Sequence, residues 1–201
     1  MKKIVFYILS SLLLLINSLV FSQSNNNSVA IKGRYKSLEG EKYCFSSDCV
    51  DQATVFVFIS PACDLSENYV NTINNIKNQY GGRVNIIGVV SGGYHKKKEV
   101  RKYVKDHKLY IPVLMDMNLR LSAAFESMLS PEVVLIDKNR VLKYRGALDN
   151  ETAVPDDDSG NYLIDALDAV LSDKQVAVSH TKVQGCYIHP RYFFEGGWLY
   201  K

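Results

Sequence analysis

The stretch TVFVFISPACDLSENY, residues 54–69, decides the fold. Its first six residues form an apolar, β-branched and aromatic run, which is typical of a central strand buried on both faces. The run ends at Ser60-Pro61, and a single cysteine, Cys63, then begins a segment with helical spacing. The start of a helix provides unpaired N–H groups and partial positive charge, and both favour a thiolate. The pattern predicts a reactive cysteine at a strand-to-helix turn, with an ordinary buried core cysteine as the alternative.

The segments after Cys63 alternate between helix and strand patterns. Five apolar residues share one helical face, namely Leu65, Tyr69, Ile73, Ile76 and Tyr80, and residues 84–90 predict a second buried strand. Further patterns predict helices over residues 96–107, 118–128 and 162–171, strands over 113–115, 133–136 and 141–144, and a hairpin within 29–49. This order predicts an α/β sheet of four or five strands covered by helices.

The N-terminus has the pattern of a secretory signal peptide over residues 1–22. Lys2 and Lys3 precede an apolar run, and Ser22-Gln23 offers a small-residue cleavage site. The run is about long enough to span a bilayer, so an uncleaved anchor is the alternative. Either interpretation places the rest of the chain in the periplasm or outside the cell, because basic residues before such a run stay inside.

Composition excludes some classes of function. Without Lys2 and Lys3 the chain has 22 basic residues against 21 acidic ones, which leaves no electrostatic footprint for nucleic acid. Metal-ligand spacing is absent from the four histidines, His95, His107, His180 and His189, and no cofactor is predicted. A membrane is an expected partner only if the N-terminal segment stays uncleaved.

Four cysteines occur in this chain, which its N-terminus predicts to be exported, at positions 44, 49, 63 and 186. In an oxidising compartment they are able to pair in three ways. Cys44 and Cys49 are close enough in sequence to form a local bridge, which would leave Cys63 and Cys186 as the second pair. The sequence does not choose among the three connectivities.

Four segments together resemble a known family: VFVFISPACDLS at 55–66, SPEVVLID at 130–137, VLKYRGALDN at 141–150 and TKVQGC at 181–186. They resemble the thioredoxin-like superfamily, and within it the redoxin or peroxiredoxin-like branch (alkyl hydroperoxide reductase/thiol-specific antioxidant type). The resemblance covers about residues 35 to 188. It implies a thioredoxin-like central mixed sheet of four or five strands flanked by helices. The expected domains are a redoxin domain over 29–172 and a C-terminal tail over 173–201, which carries Cys186 and an aromatic cluster within 192–200.

The resemblance also implies roles for individual residues. Cys63 takes the place of the nucleophilic first cysteine of a Cys-x-x-Cys motif, and Ser66 takes the place of the second. Ser66 is therefore expected to donate a hydrogen bond to the thiolate but is unable to resolve a mixed disulfide. Pro131 matches a cis-proline that shapes the substrate groove. Apart from the resemblance, Cys186 is the candidate resolving thiol, because Gly185 permits a tight turn of the tail and the other two cysteines are spaced for each other. The alternative is a structural disulfide that fixes the tail.

The expected function is that of an exported thiol-disulfide oxidoreductase acting through Cys63. Its partners would be a protein or small-molecule disulfide and a thiol electron donor. One alternative is a non-catalytic binding module that uses the groove and the aromatic tail. Another is a thiol peroxidase acting on a peroxide, although the Pro-x-x-x-Thr/Ser-x-x-Cys motif is incomplete around Ser60. Arg120 and Arg145 are expected to be surface residues, with stabilisation of a thiolate as the alternative. Glu132, next to Pro131, is expected to be an ordinary solvated carboxylate, with a position facing the groove as the alternative.

Overall fold

The computed structural model describes residues 28–31, 33–46, 49, 52–151 and 160–188. The predicted signal peptide at 1–22 and the aromatic cluster at 192–200 lie outside the described residues. Within the described ranges, no helix has the length and apolar character needed to cross a bilayer.

The secondary-structure elements follow the predicted order of strands and helices. They are β1 (Arg34–Lys36), β2 (Lys42–Cys44), β3 (Ala53–Phe58), α1 (Asp64–Asn68), α2 (Val70–Tyr80), β4 (Val84–Ser91), α3 (Lys97–Asp106), β5 (Val113–Asp116), α4 (Arg120–Phe125), β6 (Leu129–Ser130), β7 (Glu132–Ile136), β8 (Leu142–Gly146), α5 (Tyr162–Leu171) and β9 (Cys186–Tyr187). The pair β1 and β2 forms the expected N-terminal antiparallel hairpin.

A mixed five-stranded sheet with the order β5-β4-β3-β7-β8 forms the centre of the fold. Strand β3 is parallel to β4 and antiparallel to β7, and all six of its residues are buried. Its side chains alternate between two cores. Val55 and Val57 pack with α2, α3 and α5, whereas Phe56 and Phe58 pack with α4 and the N-terminal hairpin. The predicted central strand and the thioredoxin-like α/β sheet are both confirmed.

Two predicted helices differ from the observed ones. The helix expected from Leu65 to Tyr80 divides at Tyr69, whose ψ is −1° and whose hydroxyl donates to Asp149 at 2.5 Å. The helix expected over 118–128 is shorter, because the residues that flank α4, Leu119 and Glu126, have left-handed φ angles of 56° and 53°. A right-handed helix does not continue through such residues.

The chain after α5 returns to the edge of the sheet beside β8. Arg145 donates its N–H to the carbonyl of Ser179 at 3.0 Å, and Thr181 donates its N–H to the carbonyl of Arg145 at 3.1 Å. The hydroxyl of Thr181 accepts the N–H of Ala147 at 2.9 Å and lies 2.7 Å from the hydroxyl of Tyr144. These bonds fix the beginning of the tail to the domain, so residues 179–181 are called the tail anchor below.

Replacing Tyr144 with phenylalanine is expected to weaken this anchor. Tyr144 is fully buried, its hydroxyl donates to the carbonyl of Ala147 at 2.6 Å, and burial raises the pKa of that hydroxyl. Its loss leaves buried polar atoms without a partner, which costs about 1–3 kcal/mol. Urea unfolding should show this loss, whereas the control Y110F, at a 68 % exposed tyrosine, should change stability by less than about 0.5 kcal/mol. Equal effects of the two variants would contradict the anchoring role.

Candidate active site

The turn between β3 and α1 presents Cys63 at the start of the helix. Cys63 donates its N–H to the carbonyl of Ser60 at 3.1 Å, and Ala62 donates its N–H to the hydroxyl of Ser60 at 3.3 Å. Cys63 is the N-cap residue of α1, with extended backbone angles of −121° and 112°. The strand, turn and helix predicted around Cys63 are therefore present, and Ser60 closes the turn.

Both pairs of cysteines form disulfides. Cys63 is bonded to Cys186 with an S–S distance of 2.05 Å, across a sequence separation of 123 residues. Cys44 is bonded to Cys49 across a separation of five. Of the three open connectivities, the structure has the one with a local bridge and a long-range bridge. Cys63 is only 2 % exposed, whereas Cys186 is partly exposed.

Ser66 and Ser130 form a buried pair of hydroxyls beside the disulfide. Their Oγ atoms are 2.5 Å apart, and Ser66 also accepts the N–H of Ser60 at 3.2 Å. The carbonyl oxygen of Ser130 lies 3.2 Å from Sγ of Cys63. In this oxidised state the Ser66 hydroxyl therefore contacts Ser60 and Ser130, and a hydrogen bond to a Cys63 thiolate stays a prediction for the reduced state.

The Ser130–Pro131 peptide bond is cis, as the resemblance implied for Pro131. The two residues before Pro131 form β6, which pairs with β9 of the tail in antiparallel register, with Ser130 opposite Cys186. The sequence predicted a tight turn at Gly185, but the structure shows a different role. A Cβ atom at Gly185 would lie 2.5 Å from the carbonyl oxygen of Ser130, so glycine permits close approach of the two backbones.

The prediction that Glu132 and Arg145 are ordinary surface residues is wrong. Glu132 is 6 % exposed, and burial raises the pKa of its carboxyl group while the Arg145 charge opposes that rise. Glu132 accepts the N–H of Met128 at 3.3 Å, and Arg145 donates to the carbonyl of Phe125 at 2.8 Å. With Nε of Arg145 3.7 Å from Glu132, the pair supports the loop that leads into β6. Arg120, by contrast, lies over the ring of Tyr35, 4.9 Å from its centroid.

His95 contacts the cysteine turn, and this contact was not predicted from the sequence. Its Nε2 lies 3.2 Å from the hydroxyl of Ser60, and burial lowers the pKa of the His95 side chain, which favours the neutral ring. The two residues are 35 positions apart, and no local pattern connects them. In the part of the chain that the structure describes, no group of three His, Cys, Asp or Glu side chains is placed to hold a metal ion.

A cleft of 470 Å³ opens elsewhere, beside Gln52 and Ala53 at the start of β3. Cys63 lies beyond the other end of the same strand. The chemistry that the residues support is thiol-disulfide exchange at the Cys63–Cys186 bond, so the candidate active site is at the disulfide rather than in this cleft.

Comparisons with known proteins agree with this fold. The family model described as Redoxin matches residues 24–163. A hypothetical protein from Sinorhizobium meliloti 1021 is 23 % identical with a TM-score of 0.67, over 81 % of this chain and 92 % of that one. An uncharacterized conserved protein from Geobacillus kaustophilus is 22 % identical with a TM-score of 0.66, over 78 % and 88 % of the two chains.

A third similar structure is the exposed lipoprotein thioredoxin Etrx1 from Streptococcus pneumoniae. It is 18 % identical with a TM-score of 0.54, over 68 % of this chain and 97 % of that one. No curated protein sequence matches the chain. The Redoxin model spans well over half of the sequence and includes the turn with Cys63 and the cis-proline. The chain therefore belongs to the Redoxin family.

Proposed function

We propose that this Redoxin-family protein is an exported thiol-disulfide oxidoreductase whose redox couple is Cys63 and Cys186. The bond between these two cysteines is the observation that carries the proposal. Because residue 66 is a serine, Cys63 lacks the second cysteine of a Cys-x-x-Cys motif. Cys186 of the tail takes its place as the disulfide partner of Cys63. The disulfide lies beside the cis-proline loop, where Ser130 contacts both Cys63 and Ser66.

Reduction of the protein needs an external dithiol. Because Cys63 is almost completely buried, one thiolate of the donor attacks the sulfur of Cys186, which is partly exposed, and Cys63 leaves as a thiolate. The second donor thiolate then attacks the donor sulfur of the mixed disulfide and releases Cys186. The donor is oxidised to a disulfide, and two electrons and two protons pass to the two cysteines.

The reduced protein then reduces a substrate disulfide. The Cys63 thiolate attacks one substrate sulfur, and the other substrate sulfur leaves as a thiolate that takes up a proton. Cys186, as a thiolate, attacks the Cys63 sulfur of this mixed disulfide, releases the second substrate thiol and restores the Cys63–Cys186 bond. Before the attack the Ser66 hydroxyl donates a hydrogen bond to the Cys63 thiolate, and Pro131 shapes the groove in which the substrate lies.

Export is part of the same proposal. The N-terminal segment has the pattern of a signal peptide over residues 1–22, and two disulfides are typical of an oxidising compartment. The similar pneumococcal thioredoxin is an exposed lipoprotein. We assign the periplasm or the extracellular space to this chain, with residues 29–172 as the catalytic domain and 173–201 as a tail that completes the active site.

The proposal is tested by measuring reduction of insulin disulfides with dithiothreitol as the donor. The wild-type protein should accelerate the reaction above the rate with dithiothreitol alone. A protein that binds polypeptides but shows no acceleration would support the binding-module alternative, and consumption of hydrogen peroxide in place of disulfide reduction would support the peroxidase alternative.

A further inference from the structure

The tail occupies the edge of β6 as an added strand. Ser130 is opposite Cys186 and Leu129 is opposite Tyr187, and Ile188 donates its N–H to the carbonyl of Met128 at 3.0 Å. An extended peptide that adds a strand to an exposed edge makes this type of main-chain contact. The tail therefore sits in the cis-proline loop in the manner of a bound polypeptide whose cysteine has reacted with Cys63.

The tail is held at two places, and only one of them includes a disulfide. The tail anchor, residues 179–181, is bonded to β8 and to the Tyr144 hydroxyl and does not depend on any cysteine. Residues 182–188, called the strap, are held by the short ladder with β6, by burial of Ile188 and by the disulfide. Within the strap, Lys182 and Gln184 are exposed. Reduction removes the covalent attachment of the strap and leaves the anchor intact.

We propose that the strap is an internal competitor for the substrate edge and is released by reduction. In the disulfide form it pairs with the edge of β6, and its Cys186 is bonded to Cys63. Once a dithiol has reduced the Cys63–Cys186 bond, as in the cycle above, the strap pairs with this edge only part of the time, and an extended polypeptide that carries a disulfide competes for the same edge. This inference rests on the proposed function and adds a substrate class, extended polypeptide segments, and a redox-controlled access to the site.

The geometry selects a polypeptide over a small disulfide. The edge offers the backbone N–H and C=O groups of Met128, Leu129 and Ser130. An extended peptide backbone is able to pair with these groups, whereas a small disulfide has no row of donors and acceptors that matches them. A cysteine opposite Ser130 is placed within bonding distance of Cys63, because the cysteine of the strap at that register forms the disulfide. An incoming chain in the same register would therefore present its sulfur to Cys63.

Hydrogen exchange tests release of the strap in the full-length protein. The backbone amide of Ile188 should exchange at least tenfold faster after reduction, while the amide of Thr181 in the anchor should keep its protection. Unchanged protection of Ile188 in the reduced protein would overturn the proposed release.

Two activated disulfides test what then occupies the edge. In the Cys186→Ser protein with the Cys44–Cys49 bridge intact, Cys63 is the one free thiol that a probe is able to label. One probe is the 2-thiopyridyl disulfide of 2-mercaptoethanol, and the other is the same disulfide on a central cysteine of an extended nonapeptide. We expect the peptide probe to label Cys63 at least tenfold faster. A peptide of residues 182–188 with serine in place of Cys186 should slow the peptide probe more strongly than the small probe, because only the peptide probe also needs the edge of β6.

Gly185→Ala, added to Cys186→Ser, is the matched test of competition by the strap. The new Cβ would meet the carbonyl of Ser130, so the strap should pair less well and the peptide probe should react several-fold faster. Gln184→Ala, at an exposed neighbour, should leave the rate unchanged. If Cys63 reacts with both probes equally and Gly185→Ala has no effect, the strap proposal is wrong while the proposed function stands. If neither probe labels Cys63, the proposed function fails, and the strap proposal fails with it.

Discussion

Replacing Cys63 with serine is expected to abolish the acceleration of insulin reduction, so that the rate falls to that of dithiothreitol alone. The reaction requires a thiolate that attacks one substrate sulfur, and a serine hydroxyl is not ionised at neutral pH. Cys63 is also the residue that the β3–α1 turn presents to the cis-proline loop. The assay follows turnover at matched protein concentrations, and circular dichroism verifies that the variant is folded.

The Cys186→Ser variant should lose the second step of the reaction, in which Cys186 resolves the mixed disulfide at Cys63. Cys63 still attacks the substrate, so one equivalent of substrate thiol should be released in a burst and a mixed disulfide should accumulate. Resolution then depends on dithiothreitol, so steady-state turnover should fall by about tenfold or more. The Cys44→Ser, Cys49→Ser double variant is the control and should stay within about twofold of the wild type. Activity in the Cys63→Ser protein, or no burst with Cys186→Ser, would contradict the assigned roles.

Removing the long-range disulfide is expected to have the largest effect on stability. The Cys63–Cys186 bond closes a loop of 123 residues, whereas Cys44–Cys49 closes one of five. In the chain-entropy model these constraints stabilise the fold by at most about 5 and about 2 kcal/mol, respectively. For a chain of this size, 5 kcal/mol corresponds to a decrease of about 10–20 °C in Tm.

The comparison uses two double variants, Cys63→Ala with Cys186→Ala and Cys44→Ala with Cys49→Ala. Calorimetry and urea unfolding should give a clearly larger loss for the first pair. The tail anchor is bonded to the Tyr144 hydroxyl through Thr181 and does not depend on the cysteines, so the first variant should still fold. A larger loss for the local pair would show that the long-range bond does little to constrain the chain.

The centre of the fold could be predicted from the sequence because its signals are local. The run at residues 54–59 is continuous and apolar, and a strand with such a run needs cover on both faces. In the structure Val55 and Phe56 accordingly lie in two different hydrophobic cores, on opposite faces of the sheet. The cis bond before Pro131 came from the resemblance alone, since most X-Pro bonds are trans.

The surroundings of the cysteine could not be predicted, because they depend on contacts between distant segments. Ser66 and Ser130 are 64 positions apart, and serine is too common a residue to identify its partner. Glu132 looked like a solvated carboxylate because a charged residue is normally exposed. It is buried because Arg145 and the N–H of Met128 lie beside it, and only the pairing of β7 with β8 brings that arginine there.

The claim that Cys63 and Cys186 form a reversible redox couple is tested most directly by titration with glutathione buffers. The full-length protein is equilibrated from both the oxidised and the reduced side, and each cysteine is quantified by differential alkylation and mass spectrometry. We expect Cys63 and Cys186 to open and close together in one two-electron transition that is the same from both directions, with the fold retained. A Cys63–Cys186 bond that opens only when the chain unfolds would contradict the account and identify the bond as a structural one.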